Sequence, residues 1–208
     1  MKKISPLKML LFFTIAVSCT NENSEINTNP EPVSIKNPST IPFEEENPLT
    51  EFLVKSEFSN ITVPCIKTKS YAEIGFVFKP VAKGVINSIT VKLPSIYKNI
   101  KITFWNFDKR SVIRTETCDV DLPNSEIKLR IDPLELSKNV KYAITVYTNS
   151  YYMRHSEEWK QPLYPIIVGN IKILQSIMNY DSTLSYQTTT SLGNFYNGDC
   201  SFNFLRTE

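Results

Sequence analysis

The chain has 208 residues, 41% hydrophobic and 21% charged, with 13 Pro, 5 Gly, 4 Cys and a single His. That length suits one domain of ordinary size. The apolar content excludes wholesale disorder, and one imidazole excludes a three-His zinc centre.

Residues 1–18 have the order of an export signal. Lys2, Lys3 and Lys8 precede the apolar run Met9 to Val17. At about 1.5 Å per residue that run reaches roughly 14 Å, half of a bilayer core near 30 Å, so it reads as a signal peptide and not a spanning helix. Small residues then lead into Cys19. The run Ala16-Val17-Ser18-Cys19 resembles the lipobox of bacterial lipoproteins. The resemblance implies cleavage before Cys19, acylation of its thiol and of the new amino terminus, and a lipid anchor in the bacterial cell envelope. The expected address is the outer membrane, facing the periplasm or the cell surface. Each buried CH₂ of an acyl chain contributes about 0.8 kcal/mol, and stable attachment takes more than one chain. Removing the signal takes away three lysines, which turns the formal charge from +2 to −1. No basic tail remains to attract nucleic acid, so a membrane is the expected partner and nucleic acid is not.

From residue 19 to residue 50 the composition changes. Asn21, Asn23, Asn27 and Asn29 alternate with polar residues, and Pro30, Pro32, Pro38, Pro42 and Pro48 follow. Glu22, Glu25, Glu31, Glu44, Glu45 and Glu46 face one base, Lys36. Such a stretch buries too little apolar surface to offset its ordering entropy, and its prolines stiffen it. It reads as a tether, with the alternative that its last third packs as an arm or edge strand.

Residues 51–208 carry nineteen basic and fifteen acidic side chains, a net +4, and their apolar pattern has a period of two. Ile74, Phe76 and Phe78 share one face. The same alternation marks Ser88 to Leu93, Ile100 to Phe104, Ile127 to Ile131, Val140 to Val146, and Phe202 to Phe204. Short alternating runs rich in β-branched and aromatic residues predict half-buried strands. Turn-forming clusters separate them: Ala82-Lys83-Gly84, Leu93-Pro94-Ser95, Pro123-Asn124-Ser125, Ser137-Lys138-Asn139 and Tyr196-Asn197-Gly198-Asp199. No long window has a helical stripe, and Ile171 to Tyr180 reads equally as a short helix or a strand. The expected fold is all-β: a single antiparallel two-sheet β-sandwich, jelly-roll-like, over residues 51–208.

The block Ile74-Gly75-Phe76-Val77-Phe78, the block Gly84-Val85-Ile86-Asn87-Ser88-Ile89 and the strand Ile102-Thr103-Phe104-Trp105 stand in that order. Leu136-Ser137-Lys138-Asn139-Val140-Lys141-Tyr142 and a closing strand from Asp199 to Leu205 follow. This order resembles small secreted β-sandwich modules of a domain-of-unknown-function family often found beside glycoside hydrolases. The likeness covers residues 70–205 and implies a binding or structural role, not an enzymatic one. It also implies neighbouring first and last strands, which favours Cys65–Cys200 as a disulfide. The alternative is that Cys65, Cys118 and Cys200 are small buried hydrophobes.

Chemistry-bearing motifs are few. Neither GxGxxG, GxxxxGK nor GxSxG occurs. The cysteine spacing offers no zinc site, and Asp108, Asp181 and Asp199 lack calcium-loop spacing, so no cofactor and no metal are expected. The unusual stretch is Asn149 to Pro165, read as a long loop. Tyr151, Tyr152, Arg154, Glu157, Trp159 and Tyr164 are its candidate ligand-binding residues, because an aromatic ring covers the apolar face of a sugar while charged groups bond its hydroxyls. His155 beside Glu157 and Glu158 gives no acid–base pair by adjacency alone. Trp105 and Phe107 lie opposite Ile102 and Phe104, either as an outward patch or against the second sheet. The expected function is a non-enzymatic, lipid-anchored envelope protein binding carbohydrate, a glycan or another surface polymer. The alternative is an adhesion or pilus-like subunit binding a cell-surface protein by strand addition.

Overall fold

The computed structural model describes residues 44–160, 164–180 and 194–208. The signal peptide, Cys19 and most of the tether lie outside the described residues, as do residues 161–163 and Asp181. In chain order the elements are α1 (Pro48–Lys55), β1 (Ile61–Cys65), β2 (Ala72–Pro80), β3 (Gly84–Lys92), β4 (Tyr97–Asn106), β5 (Ser111–Val120) and β6 (Glu126–Leu136). Then come β7 (Tyr142–Thr148), β8 (Tyr151–His155), β9 (Ile166–Val168), β10 (Ile171–Asn179), β11 (Tyr196–Asn197) and β12 (Asp199–Arg206).

Alternating apolar residues become the two inner faces of an all-β sandwich. A six-stranded sheet, ordered β5-β4-β7-β2-β10-β9, faces a three-stranded sheet, β12-β3-β6, and the pairings are antiparallel. Phe76, Phe78, Ile102, Phe104, Ile144 and Val146 enter the core from the larger sheet, and Ile86, Ile89, Val91, Phe202 and Phe204 from the smaller. Phe202 ties the layers together. Its ring centroid lies 4.7 Å from Phe78, 6.1 Å from Phe76 and 6.3 Å from Phe104. Burying one such ring contributes about 1.5–3 kcal/mol relative to leaving it in water. The predicted turns at Asn124 and Asn139 place those residues at positive φ, a conformation asparagine tolerates better than most side chains. Gly75 is required for another reason: a Cβ there would sit 1.9 Å from the Ile144 carbonyl oxygen on the neighbouring strand.

One feature adds to the sequence reading, and at two further points the structure takes one of the alternatives left open. A third antiparallel sheet, β1-β8-β11, stands beside the two main ones. Ile171 to Asn179 is a strand, bonded to β2 on one side and β9 on the other. The folded body also begins before residue 50. Glu46 exchanges backbone hydrogen bonds of 2.9 and 2.8 Å with Phe204, and α1 follows. Asn47 is the extended N-cap residue, Pro48 opens the helix, Glu51 lies in its first turn and Lys55 in its last, an arrangement that suits the helix dipole. Leu49, Phe52 and Leu53 form its buried stripe. Phe52 stacks on Tyr164 and packs against Tyr196 and Phe58, so the helix covers the side of the core between β12 and β9.

Candidate functional site

The six residues singled out after Asn149 do not form one surface. Tyr151 and Tyr152 are neighbours on β8 and therefore face opposite ways. Tyr151 packs with Ala72, Ile74 and Met178, and burial pushes its hydroxyl up to about 12. Tyr152 donates its hydroxyl proton to Asn124 and lies with its ring 5.6 Å from Lys92 Nζ. Arg154, on the same side as Tyr152, donates to both carboxylate oxygens of Asp199, the Nε contact being 2.6 Å. Tyr164 is stacked on Phe52 at 5.7 Å. Trp159 stacks on His155 at 3.7 Å, and Glu157 is exposed in the turn beyond β8. The segment begins as a strand instead of a loop because β8 bonds β1 on one edge and β11 on the other.

The Cys65–Cys200 bridge is not formed. Cys65, Cys118 and Cys200 are free thiols. Cys65 stands on β1 opposite Tyr151, whereas Cys200 stands on β12 opposite Val91 inside the sandwich. The first and last strands belong to different sheets, which removes the premise of that pairing.

A different surface gathers the chemistry. Because Phe76 and Phe78 point inward, Glu73, Gly75, Val77 and Lys79 point to the outer face of the six-stranded sheet. Register then builds cross-strand rows from distant parts of the chain. One row runs Thr117, Lys101, Tyr147, Glu73, Asn179 across β5, β4, β7, β2 and β10. The next runs Thr115, Thr103, Thr145, Gly75, Ile177, and the third Val112, Trp105, Ala143, Val77, Gln175. Trp105 thus lies on the outward side, packed with Val77, Ala143, Ile177, Phe107 and Leu174.

A groove of about 200 Å³ crosses this face, lined by Glu73, Lys101, Thr103, Trp105, Val112, Thr115 and Tyr147. Its floor is a hydrogen-bonded chain. Trp105 Nε1 donates to Thr145 Oγ1 at 2.9 Å, and the Thr145 side chain hydrogen-bonds the Glu73 carboxyl. Glu73 is 5% exposed, and its Oε2 has no hydrogen-bond partner among the described residues. Burial raises the carboxyl above its ordinary value, opposed by the Thr145 hydrogen bond and the charge of Lys101. Tyr147 forms one wall, and its ring lies 5.3 Å from that of Tyr71, which is 44% exposed. The groove therefore offers flat aromatic area, threonine hydroxyls and one ammonium, above a buried, under-bonded carboxyl.

Sequence reading did not find Glu73, Lys101 or Tyr147. Each sits at the polar or aromatic position of an ordinary alternating strand, and only the register joins them. The one signal available was the outward parity of Trp105. Compared with known proteins, the chain matches no family model, no curated protein and no solved structure.

Proposed function

We propose that this chain is a lipid-anchored, non-enzymatic protein of the bacterial cell envelope that binds carbohydrate or another surface polymer on the outer face of its six-stranded sheet. The observation that carries this reading is the meeting of the Tyr147 ring with the exposed Lys101 and Thr115 side chains in one open groove. A pyranose ring presents an apolar face that suits an aromatic side chain. Its hydroxyls suit the Lys101 ammonium and the Thr115 hydroxyl, which are exposed in the groove. The anchor rests on the Lys-rich start, the apolar run and Ala16-Val17-Ser18-Cys19.

A glycan array probed with the purified chain tests the binding arm. Binding that survives in the unaltered chain but falls about tenfold in Tyr147→Ala supports the groove. Binding unchanged in Tyr147→Ala and in Lys101→Ala refutes it. Mass spectrometry of the exported product tests the anchor, which requires acyl chains on Cys19.

A second reading, strand addition, is favoured by β5. This ten-residue strand is the edge of the larger sheet, and its Val112 and Ile113 are 53% and 41% exposed. The unpaired backbone groups of an edge strand are a template for a further strand, and a lysine placed on such an edge opposes it. Under this reading a protein partner copurifies with the chain and is lost in Val112→Lys.

A further inference from the structure

We propose that the polymer taken by this face is acidic: a polysaccharide carrying carboxylates along its length. The inference rests on the reading above and narrows its ligand class. It starts from two lysines set directly opposite each other. On the outer face Lys79 of β2 stands directly opposite Lys172 of β10. Directly opposed side chains have Cβ atoms about 5 Å apart, and like charges there are destabilising. Neither lysine has an ion-pair partner among the described residues. Both are half-buried, so water screens their repulsion less than at a fully exposed site.

The same face carries Lys101 at its other end, in the row of Glu73 and Tyr147. Lys79 and Glu73 are six residues apart on one strand, which at about 3.3 Å per residue places the two cationic rows roughly 20 Å apart. Between them lie the buried Trp105 and the threonine row. The single carboxyl of the groove is Glu73, and its neutral form is the one that burial favours. The groove, with its exposed Lys101 at one end, and the Lys79–Lys172 pair at the other give an extended anionic chain two cationic contacts across a buried middle, and the nearby Asp108 is already paired with Lys141. A neutral glycan uses the groove alone and leaves the Lys79–Lys172 repulsion unrelieved, whereas a carboxylate lying over the pair relieves it.

The test uses the purified full-length chain and two polymers of one backbone, polygalacturonate and its fully methyl-esterified, uncharged form. Calorimetric titration at low salt is expected to show polygalacturonate binding about tenfold more tightly than the ester, with the difference shrinking as salt rises. The double variant Lys79→Ser, Lys172→Ser is expected to lose that advantage while retaining affinity for the ester and an unchanged or higher thermal midpoint. Equal affinity of the unaltered chain for the two polymers, at every salt concentration, overturns the acidic assignment and leaves the broader carbohydrate reading standing. Absence of binding to either polymer overturns the acidic assignment and passes the broader reading to the glycan array. Tighter binding of single-stranded DNA than of polygalacturonate also overturns the proposal, by assigning the lysines to phosphate. The polymer comparison and the salt series need no variant, so they decide the matter even if the double substitution fails to fold.

Discussion

Arg154 on β8 holds Asp199 at the start of β12 through both carboxylate oxygens. The two side chains are 13% and 7% exposed. Arg154 also reaches Thr62 on β1 at 2.9 Å. The small sheet is thus fastened to the sandwich by one charge-assisted, forked contact, the strongest class of side-chain hydrogen bond.

Asp199→Ala leaves Arg154 nearly buried without its counter-ion. Breaking one side of a buried pair typically costs about 3–5 kcal/mol, more than the pair itself contributes, because the remaining charge is stranded. Urea unfolding is expected to show a loss of at least about 3 kcal/mol. The double change Arg154→Met, Asp199→Leu should lose distinctly less, since it strands nothing. A single variant no worse than the double would show that the contact is solvated and not buried.

Glu73 sets a pH dependence of known sign. Its folded carboxyl titrates above the ordinary value of 4.5 because burial disfavours the anion. Between the unfolded and folded values the native state holds more protons than the unfolded chain, so stability declines as pH rises through that window. The contribution is fully present below the unfolded value and is lost above the folded one. Glu73→Gln keeps the shape and removes the titration. Denaturation midpoints measured from pH 4 to pH 8 are expected to fall in the unaltered chain relative to Glu73→Gln, and parallel profiles would refute the assignment.

Thiol reactivity separates the three cysteines of the folded body. Cys200 is fully buried, and burial pushes its thiol well above the ordinary value. Cys65 and Cys118 are half-buried. Reaction requires an accessible thiolate. Maleimide labelling of the native chain at pH 7, followed by peptide mapping, is expected to modify Cys65 and to spare Cys200 until denaturant is added. A Cys65–Cys200 cross-linked peptide would contradict the arrangement directly.

The sandwich was legible where one face of a strand is apolar and the other polar. Phe76 and Phe78 of β2, Ile102 and Phe104 of β4, and Ile144 and Val146 of β7 enter the core as their parity requires. Legibility failed where both faces are covered. On β8, Tyr151 and Tyr152 are packed on opposite sides, so hydropathy does not alternate and the stretch resembles a loop. It failed again at α1, whose eight residues are too few for a periodic signal and follow a run of acids and prolines. The groove was illegible for a different reason. Glu73, Lys101 and Tyr147 are separated by dozens of residues, and their meeting depends on the strand order β4-β7-β2, which no local pattern encodes.

The backbone pair between Glu46 and Phe204 gives the body a definite response to tension. Any pull along the chain that precedes residue 44 arrives first at Glu45, held by Asn87, Asn203 and Lys128, then at this bridge and the Glu46–Asn170 contacts, and next at α1. Once the bridge parts, unwinding the helix withdraws Phe52 from Tyr164 and Tyr196 and opens the flank of the sandwich to water. Mechanical load on the leading segment is thus coupled to the apolar interior through about ten residues.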